Sequence, residues 1–236
     1  MRWCAPCAAY RHTRNETLIP GTIPFCPHPN QREDTGMAQR FQDQFGNPHG
    51  MGGRLAGWLM ALTNRDLNAW AIDQLAVRPG DRVLEIGFGP GLAVQALARR
   101  ARNGSVEGVD VSPLMVEQAT RRNAAMVKAG RVSLRVGAVS ALPYDAGRFD
   151  KVLAVNNVQF WPQLADDLRE VARVMRPGGV LAIVLQPRHA PSAADVLAVR
   201  DDLIAQVRAV GYRRVRSAVT SGSPMPAFVV LGDRPA

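Results

Sequence analysis

Apolar residues recur along this chain at two intervals, and the intervals alternate. In "GRLAGWLMALTNRDLNAWAIDQL" (Gly53–Leu75) they fall three and four apart. Leu55, Trp58, Leu59 and Leu62 share one face; Leu67, Trp70, Ala71 and Leu75 share another. This predicts two helices with a break near Thr63–Asn64. After the turn "RPGD" (Arg78–Asp81) comes "RVLEIG", a short unbroken apolar run that predicts a buried strand. "GLAVQALARRA" returns to the helical interval. "SVEGVDV" (Ser105–Val111) predicts a second strand. Ser112 as N-cap and Pro113 at the first helical position then open a helix with Met115, Ala119 and Met126 on one face.

"VSLRVGA" (Val132–Ala138) and "FDKVLAVN" (Phe149–Asn156) predict strands three and four. "QLADDLREVARVM" predicts a helix with Leu164, Leu168, Val171 and Met175 inward, stopped by "RPGG" (Arg176–Gly179). "VLAIVLQ" predicts strand five. Ser192 and Asp195 form a capping-box pattern before a helix carrying Val196, Val199, Leu203, Val207 and Val210, which ends at Gly211. "RVRSAVTS" and "PAFVVLGD" close the chain as an antiparallel pair, because a short link can only reverse direction. Strands alternating with helices imply an α/β fold. The expectation is a Rossmann-like, doubly wound, seven-stranded sheet, mostly parallel with an antiparallel C-terminal strand, plus N-terminal cap helices. Residues 37–76 form the cap helices and residues 77–236 the ligand-binding domain. In such sheets ligands bind outside the carboxyl ends of the strands.

Composition narrows the class. Among 236 residues, 47% are hydrophobic and 21% charged, as in ordinary globular proteins. No apolar stretch is long enough for a membrane span, and "MRWCAPCAAYRH" lacks a signal-peptide core, so a cytoplasmic protein is expected. The net charge of +9 could mean a polyanionic partner. However, the only lysines are Lys128 and Lys151, and the arginines are scattered in groups such as Arg99, Arg100 and Arg102 or Arg213, Arg214 and Arg216. Each group sits at an element end or on a polar face, where a solvated charge suffices, and a nucleic-acid partner is not expected. Cys4, Cys7 and Cys26 with His28 could supply four zinc ligands. The short Cys-x-His gap and Pro20, Pro24, Pro27 and Pro29 argue against this, so no metal is expected. Residues 1–36 read as a disordered extension, or as sequence upstream of a true start at Met37.

The candidate chemistry lies in "VLEIGFGPGLA" (Val83–Ala93), where Gly87, Gly89 and Gly91 surround Phe88 and follow Glu85. The loop leaves a strand and enters a helix, a place where free N–H groups meet a ligand. A dinucleotide loop would read G-x-G-x-x-G, but Leu92 holds the sixth position. Asp110, at the end of the second strand, suits the hydroxyls of a ribose. Glu85 opposes a phosphate and favours a cation. S-adenosylmethionine (SAM) meets all three conditions, with a ribose, a sulfonium, an α-ammonium and no phosphate.

At "VLEIGFGPG", "VEGVDVS", "GAVSALPYDAGRFDKVLAVN" and "RVMRPGGVLAIV", in this order and spacing, the chain resembles class I SAM-dependent methyltransferases. That broad group includes quinone-biosynthesis and other small-molecule methyltransferases. The resemblance runs from about Phe45 to the C-terminus. It implies that Gly87, Gly89 and Gly91 line the methionine moiety and that Asp110 holds the ribose. It also implies that Val111 and Met115 pack on the adenine, unless they are ordinary core. Glu85 either meets the ammonium, directly or through water, or orients the loop. Ala138 stands where the family usually carries an acidic residue for the adenine amino group. That contact is lost, or falls to backbone near Val139 or to Ser140. Asn156 brings backbone near the sulfonium.

Methyl transfer is an in-line displacement, so the protein mainly aligns donor and nucleophile. A general base is needed only for an acceptor that arrives protonated. His49, in the glycine-rich "NPHGMGG", and His189, after the fifth strand, are the candidates. Gln159, Phe160 and Trp161, after the fourth strand, edge the acceptor pocket, unless Trp161 is a simple packing residue. The expected partner is a small-molecule methyl acceptor, the chain being a monomer or homodimer. Alternatives are an RNA methyltransferase and a non-catalytic SAM-binding protein.

Overall fold

The computed structural model describes residues 65–187, 190–220 and 226–235. All belong to the second of two compact units of the chain, Met37–Ala236. The first cap helix, residues 1–36, the cysteines and both histidine candidates lie outside the described residues.

In chain order the elements are α1 (Arg65–Leu75), β1 (Arg82–Ile86), α2 (Leu92–Arg100), β2 (Ser105–Asp110), α3 (Pro113–Arg122), α4 (Ala124–Lys128) and β3 (Val132–Val136). Then follow β4 (Phe149–Val155), α5 (Leu164–Val174), β5 (Met175–Leu185), α6 (Ala193–Ala209), β6 (Arg213–Val219) and β7 (Phe228–Asp233). The seven strands form one sheet in the order β3-β2-β1-β4-β5-β7-β6. Pairings from β3 to β5 are parallel. Strand β7 runs antiparallel to both β5 and β6. The chain first leaves β1 toward β2 and later returns to β1's other side with β4, so the switch point lies beside β1.

The unbroken apolar runs serve both faces. Along β1, Leu84 and Ile86 join one core cluster with Phe149, Leu168 and Leu203, whereas Val83 joins another with Ile72, Leu97 and Val184. Alternate residues therefore anchor helices on opposite sides of the sheet, which explains why no polar alternation appears in the strands. Ser112 caps α3 as expected, its hydroxyl accepting from the Met115 N–H at 3.4 Å. Ser192 does the same for α6, accepting from the Asp195 N–H at 3.3 Å.

Three expectations are corrected. The helix expected to carry Met115, Ala119 and Met126 breaks at Asn123. The Asn123 N–H closes the last helical turn on the Ala119 carbonyl at 3.0 Å, and its amide Nδ2 donates to the same carbonyl at 2.9 Å and to the Gly91 carbonyl at 3.1 Å, tying the helix end to the glycine loop. "RPGG" does not precede the fifth strand but lies within it. Its irregularity is absorbed in a register shift from Phe149↔Met175 to Lys151↔Val180. The segment is held from its far side, where the Gly178 N–H donates to the Arg234 carbonyl and the Arg234 N–H to the Gly179 carbonyl. Finally, Val199 is exposed; α6 buries only the narrower stripe Val196, Leu203 and Val207.

Candidate functional site

The carboxyl ends of β1, β2 and β4 converge on the glycine loop. Gly87, Gly89 and Gly91 all adopt positive φ, at 64°, 51° and 79°. Their surroundings separate them. A Cβ at Gly87 would lie 2.3 Å from the Asn157 amide, and one at Gly91 would lie 2.6 Å from Ala119 Cβ and 2.9 Å from its Cα. A Cβ at Gly89 would meet nothing within 4 Å. Gly87 and Gly91 are therefore small so that the protein can pack. Gly89 alone is small beside open space. Phe88, between them, turns the other way. Its ring is buried in the core and lies against Gly108 of β2, which leaves its backbone as the part that borders the loop.

Asp110 ties this loop to β2. Its Oδ2 accepts from the Gly89 N–H at 2.8 Å and its Oδ1 from the Ser112 N–H at 2.9 Å. Each oxygen keeps a second lone pair for a ligand hydroxyl. Burial raises the Asp110 pKa, against the lowering effect of those two N–H groups. Glu85 is 3% exposed, and its Oε2 has no hydrogen-bond partner. Burial, with the nearby Asp110 charge second, holds its pKa well above the carboxylate range. A buried carboxylate with a vacant oxygen costs free energy unless a proton, a hydrogen-bond donor or a cation satisfies it.

The strand ends are stitched by two asparagines. Asn156, with φ at 52°, accepts at Oδ1 from the Gln186 N–H at 2.8 Å, linking β4 to β5. Asn157 donates from Nδ2 to the Ile86 carbonyl, linking β4 to β1 and filling the space beside Gly87. From the other side, Arg122 Nε donates to the Pro90 carbonyl at 2.8 Å and Asn123 to that of Gly91. Asn157, Arg122 and Asn123 were missed in the sequence. The signal for Asn157 was a doubled asparagine at a strand end, facing a glycine that needed its space filled.

The remaining expected site residues divide. Val111 is 51% exposed, as is Val136, which the parallel register places opposite Asp110. Together they offer apolar surface around the acid. Met115 is 1% exposed and belongs to the core rather than to that surface. Val139 is buried in the core, Ala138 is half-buried and Ser140 is exposed. Gln159 is exposed and donates to the Asn156 carbonyl at 2.9 Å. Trp161 packs partly buried against the core, whereas Phe160 between them is 56% exposed. Among the described residues no cluster of His, Cys, Asp or Glu could hold a metal ion, and no helix is long and apolar enough to cross a membrane.

A methyltransferase-domain family model matches residues 83–179. The chain is 33% identical to the uncharacterized methyltransferase YdaC of Bacillus subtilis over 183 residues, covering 77% of this chain and 99% of that protein. This chain is a class I SAM-dependent methyltransferase. It is also 28% identical to the ubiquinone/menaquinone biosynthesis C-methyltransferase UbiE of Geotalea daltonii, over 51% of this chain and 52% of that protein. It thus spans about half that relative's length. The SAM-dependent methyltransferase from Aquifex aeolicus shares the fold, with a TM-score of 0.59 at 18% identity, covering 71% of this chain and 89% of the other. The methyltransferase's own geometry fits SAM: Glu85 leaves a buried oxygen without a partner, and Gly89 is the glycine of the loop that faces open space.

Proposed function

We propose that this methyltransferase acts on a small-molecule acceptor, with Glu85, Gly89 and Asp110 forming the centre of its cofactor site. The observation that carries the cofactor assignment is the unpartnered, buried Glu85 oxygen on the strand that leads into a loop whose Gly89, unlike Gly87 and Gly91, faces open space. When bound, SAM supplies an electrophilic methyl group on a sulfonium. Glu85 supplies negative charge for its cationic end, directly or through water. Asp110 holds the ribose hydroxyls while fixing the Gly89 backbone. Val111 and Val136 flank the base, with no acidic partner at Ala138. Asn156 and Asn157 keep the ends of β1, β4 and β5 in register, so that donor and acceptor meet in line.

For the acceptor, support comes from a relative whose name places it in quinone biosynthesis. Further support comes from the exposed Phe160 beside Gln159, which offers a ring and an amide at the end of β4. Such a surface suits an apolar molecule bearing a polar group. His49 and His189 are proposed as bases for an acceptor that arrives protonated.

The test is calorimetry with S-adenosylhomocysteine, followed by transfer of label from SAM into fractions of a cell extract. Saturable binding and label in a low-molecular-weight fraction are the expected results. Label only in macromolecules overturns the acceptor class; absence of binding overturns the site.

A further inference from the structure

The arginines look scattered in the sequence, yet the fold gathers them. Six of the seven strands, all but β7, begin at the same end of the sheet. The segments entering those strands carry Arg78 before β1, Arg99 and Arg102 before β2, Lys128 before β3, and Arg208 and Arg213 at the start of β6. All six are exposed and have no carboxylate partner among the described residues. Because β3 and β6 are opposite edges of the seven-stranded sheet, these cations span its whole width. That is about 29 Å at the usual strand spacing. Lys151, Arg176 and Arg234 occupy the starts of β4 and β5 and the end of β7 between them.

The acids at this end do not balance that surface. Asp81, Glu107 and Asp233 are buried. Asp81 accepts from the Arg78 N–H, Glu107 pairs with Arg148, and Asp233 pairs with Arg214 and Arg216. Asp150 pairs with Arg176, and the exposed Asp73 pairs with Arg100, so neither neutralises the six cations named above. Cations near helix C-termini are ordinarily favoured by the helix dipole, which accounts for Arg99, Lys128 and Arg208. It does not account for Arg78, Arg102 or Arg213, which lie in loops or open a strand.

We propose that this amino-end face docks the phosphate backbone of a duplex nucleic acid, at the opposite end of the sheet from the methyl-transfer site. Two observations favour nucleic acid over an anionic bilayer. First, among the described residues the exposed large apolar ones (Val111, Val136, Phe160, Val199 and Val219) are none of them in the segments that build this face, whereas a membrane interface is entered by such groups. Second, the cations are nearly all arginine, whose planar fork matches phosphate. The face holds no base-reading element, so binding is indifferent to sequence. Because the face lies away from Gly89 and Asp110, the nucleic acid is a docking partner and not the methyl acceptor.

The test titrates the full chain with a 20-base-pair DNA duplex, and separately with an RNA duplex, across a salt series. Each neutralised phosphate contributes about −0.9 to the slope of log K against log salt, so six cations predict a slope of about −5. The combined substitution Arg99→Gln, Arg102→Gln, Lys128→Gln and Arg213→Gln is expected to weaken binding at least tenfold and to flatten the slope. S-adenosylhomocysteine affinity and Tm should stay unchanged. The control Arg121→Gln with Arg169→Gln, on other surfaces, is expected to leave duplex binding intact. The DNA and RNA arms identify the source of the phosphate. No binding at low salt, equal loss in the control, or binding only to anionic vesicles overturns the proposal. Methylation of the duplex itself overturns its docking role.

Discussion

The two ends of the sheet treat a buried acid in opposite ways. At the amino end, Asp233 sits between Arg214, at 2.5 Å, and Arg216, at 3.0 Å. At the carboxyl end, Glu85 is equally buried and has an oxygen with no partner. At the first end the buried acid is satisfied within the protein. At the second it is left with an oxygen that a ligand can satisfy. The carboxyl end also uses polar side chains to hold backbone: Asp110 on Gly89, Asn157 on Ile86, Asn156 on Gln186 and Asn123 on Gly91. A self-satisfied end stabilises the fold, whereas an end with a vacant, rigidly held acid stores free energy that a ligand can recover.

The largest effect expected on this contrast is at Gly91. Gly91→Ala would drive a Cβ against the backbone of α3 and demand positive φ from alanine. A loss of about 3 kcal/mol is expected, read as a fall in Tm. Gly89→Ala meets no atom and pays only the φ penalty of about 1–2 kcal/mol, yet it should cost more in S-adenosylhomocysteine affinity than in stability. Equal stability losses at the two positions would show that the loop has no open side.

Asp110→Ala comes next. Two N–H groups, of Gly89 and Ser112, lose their acceptor, at about 1–3 kcal/mol for each that stays buried. S-adenosylhomocysteine affinity should fall at least tenfold, which is about 1.4 kcal/mol. Unchanged affinity by calorimetry would remove Asp110 from the cofactor site.

Much of this was legible in the sequence. Helical spacing and unbroken strand runs reveal the alternation, because both follow from burying one stripe or two faces. Glu85, the glycines and Asp110 stood out as candidates because they fall at the ends of two strands that the apolar spacing reveals. What was not legible depends on chain segments far apart. Whether Phe88 turned toward a ligand or toward Gly108 depended on a strand about 20 residues away. The helix break at Asn123 depended on the Gly91 carbonyl, 32 residues back. Met115 sits at the right spacing for either core or base, and spacing alone cannot choose. The arginines illustrate the limit most plainly: they are dispersed along the chain, and only the common direction of the strands brings them to one end.

Glu85→Gln tests the incomplete end by the sign of its effect. Below the ordinary carboxylate range, Glu85 is protonated in both the folded and unfolded chain and contributes no pH dependence. As pH rises through that range the unfolded chain releases the proton while the folded chain, with its raised pKa, retains it. The native state then binds more protons, and stability declines with pH until the folded pKa is passed. Glu85→Gln should therefore match the parent near pH 4 and melt higher at pH 8, by about 2–4 °C for each kcal/mol relieved. It should also bind S-adenosylhomocysteine less well. A Tm difference that does not change with pH would show that Glu85 is not the titrating group.

The smallest effect expected is at the completed end, and its direction is opposite. Asp233→Asn keeps the shape but removes the charge facing Arg214 and Arg216, whose side chains are 77% and 51% exposed. Water screens both arginines, so the loss is expected to be about 1 kcal/mol or less and to shrink further in high salt. Cofactor affinity should not change, because Asp233 lies at the end of β7 away from the glycine loop. Duplex binding should tighten, since one more negative charge leaves the face that carries the unpaired cations. If Asp233→Asn stabilised the chain as Glu85→Gln does, burial alone would govern both acids. The distinction between a satisfied end and a vacant one would then fail.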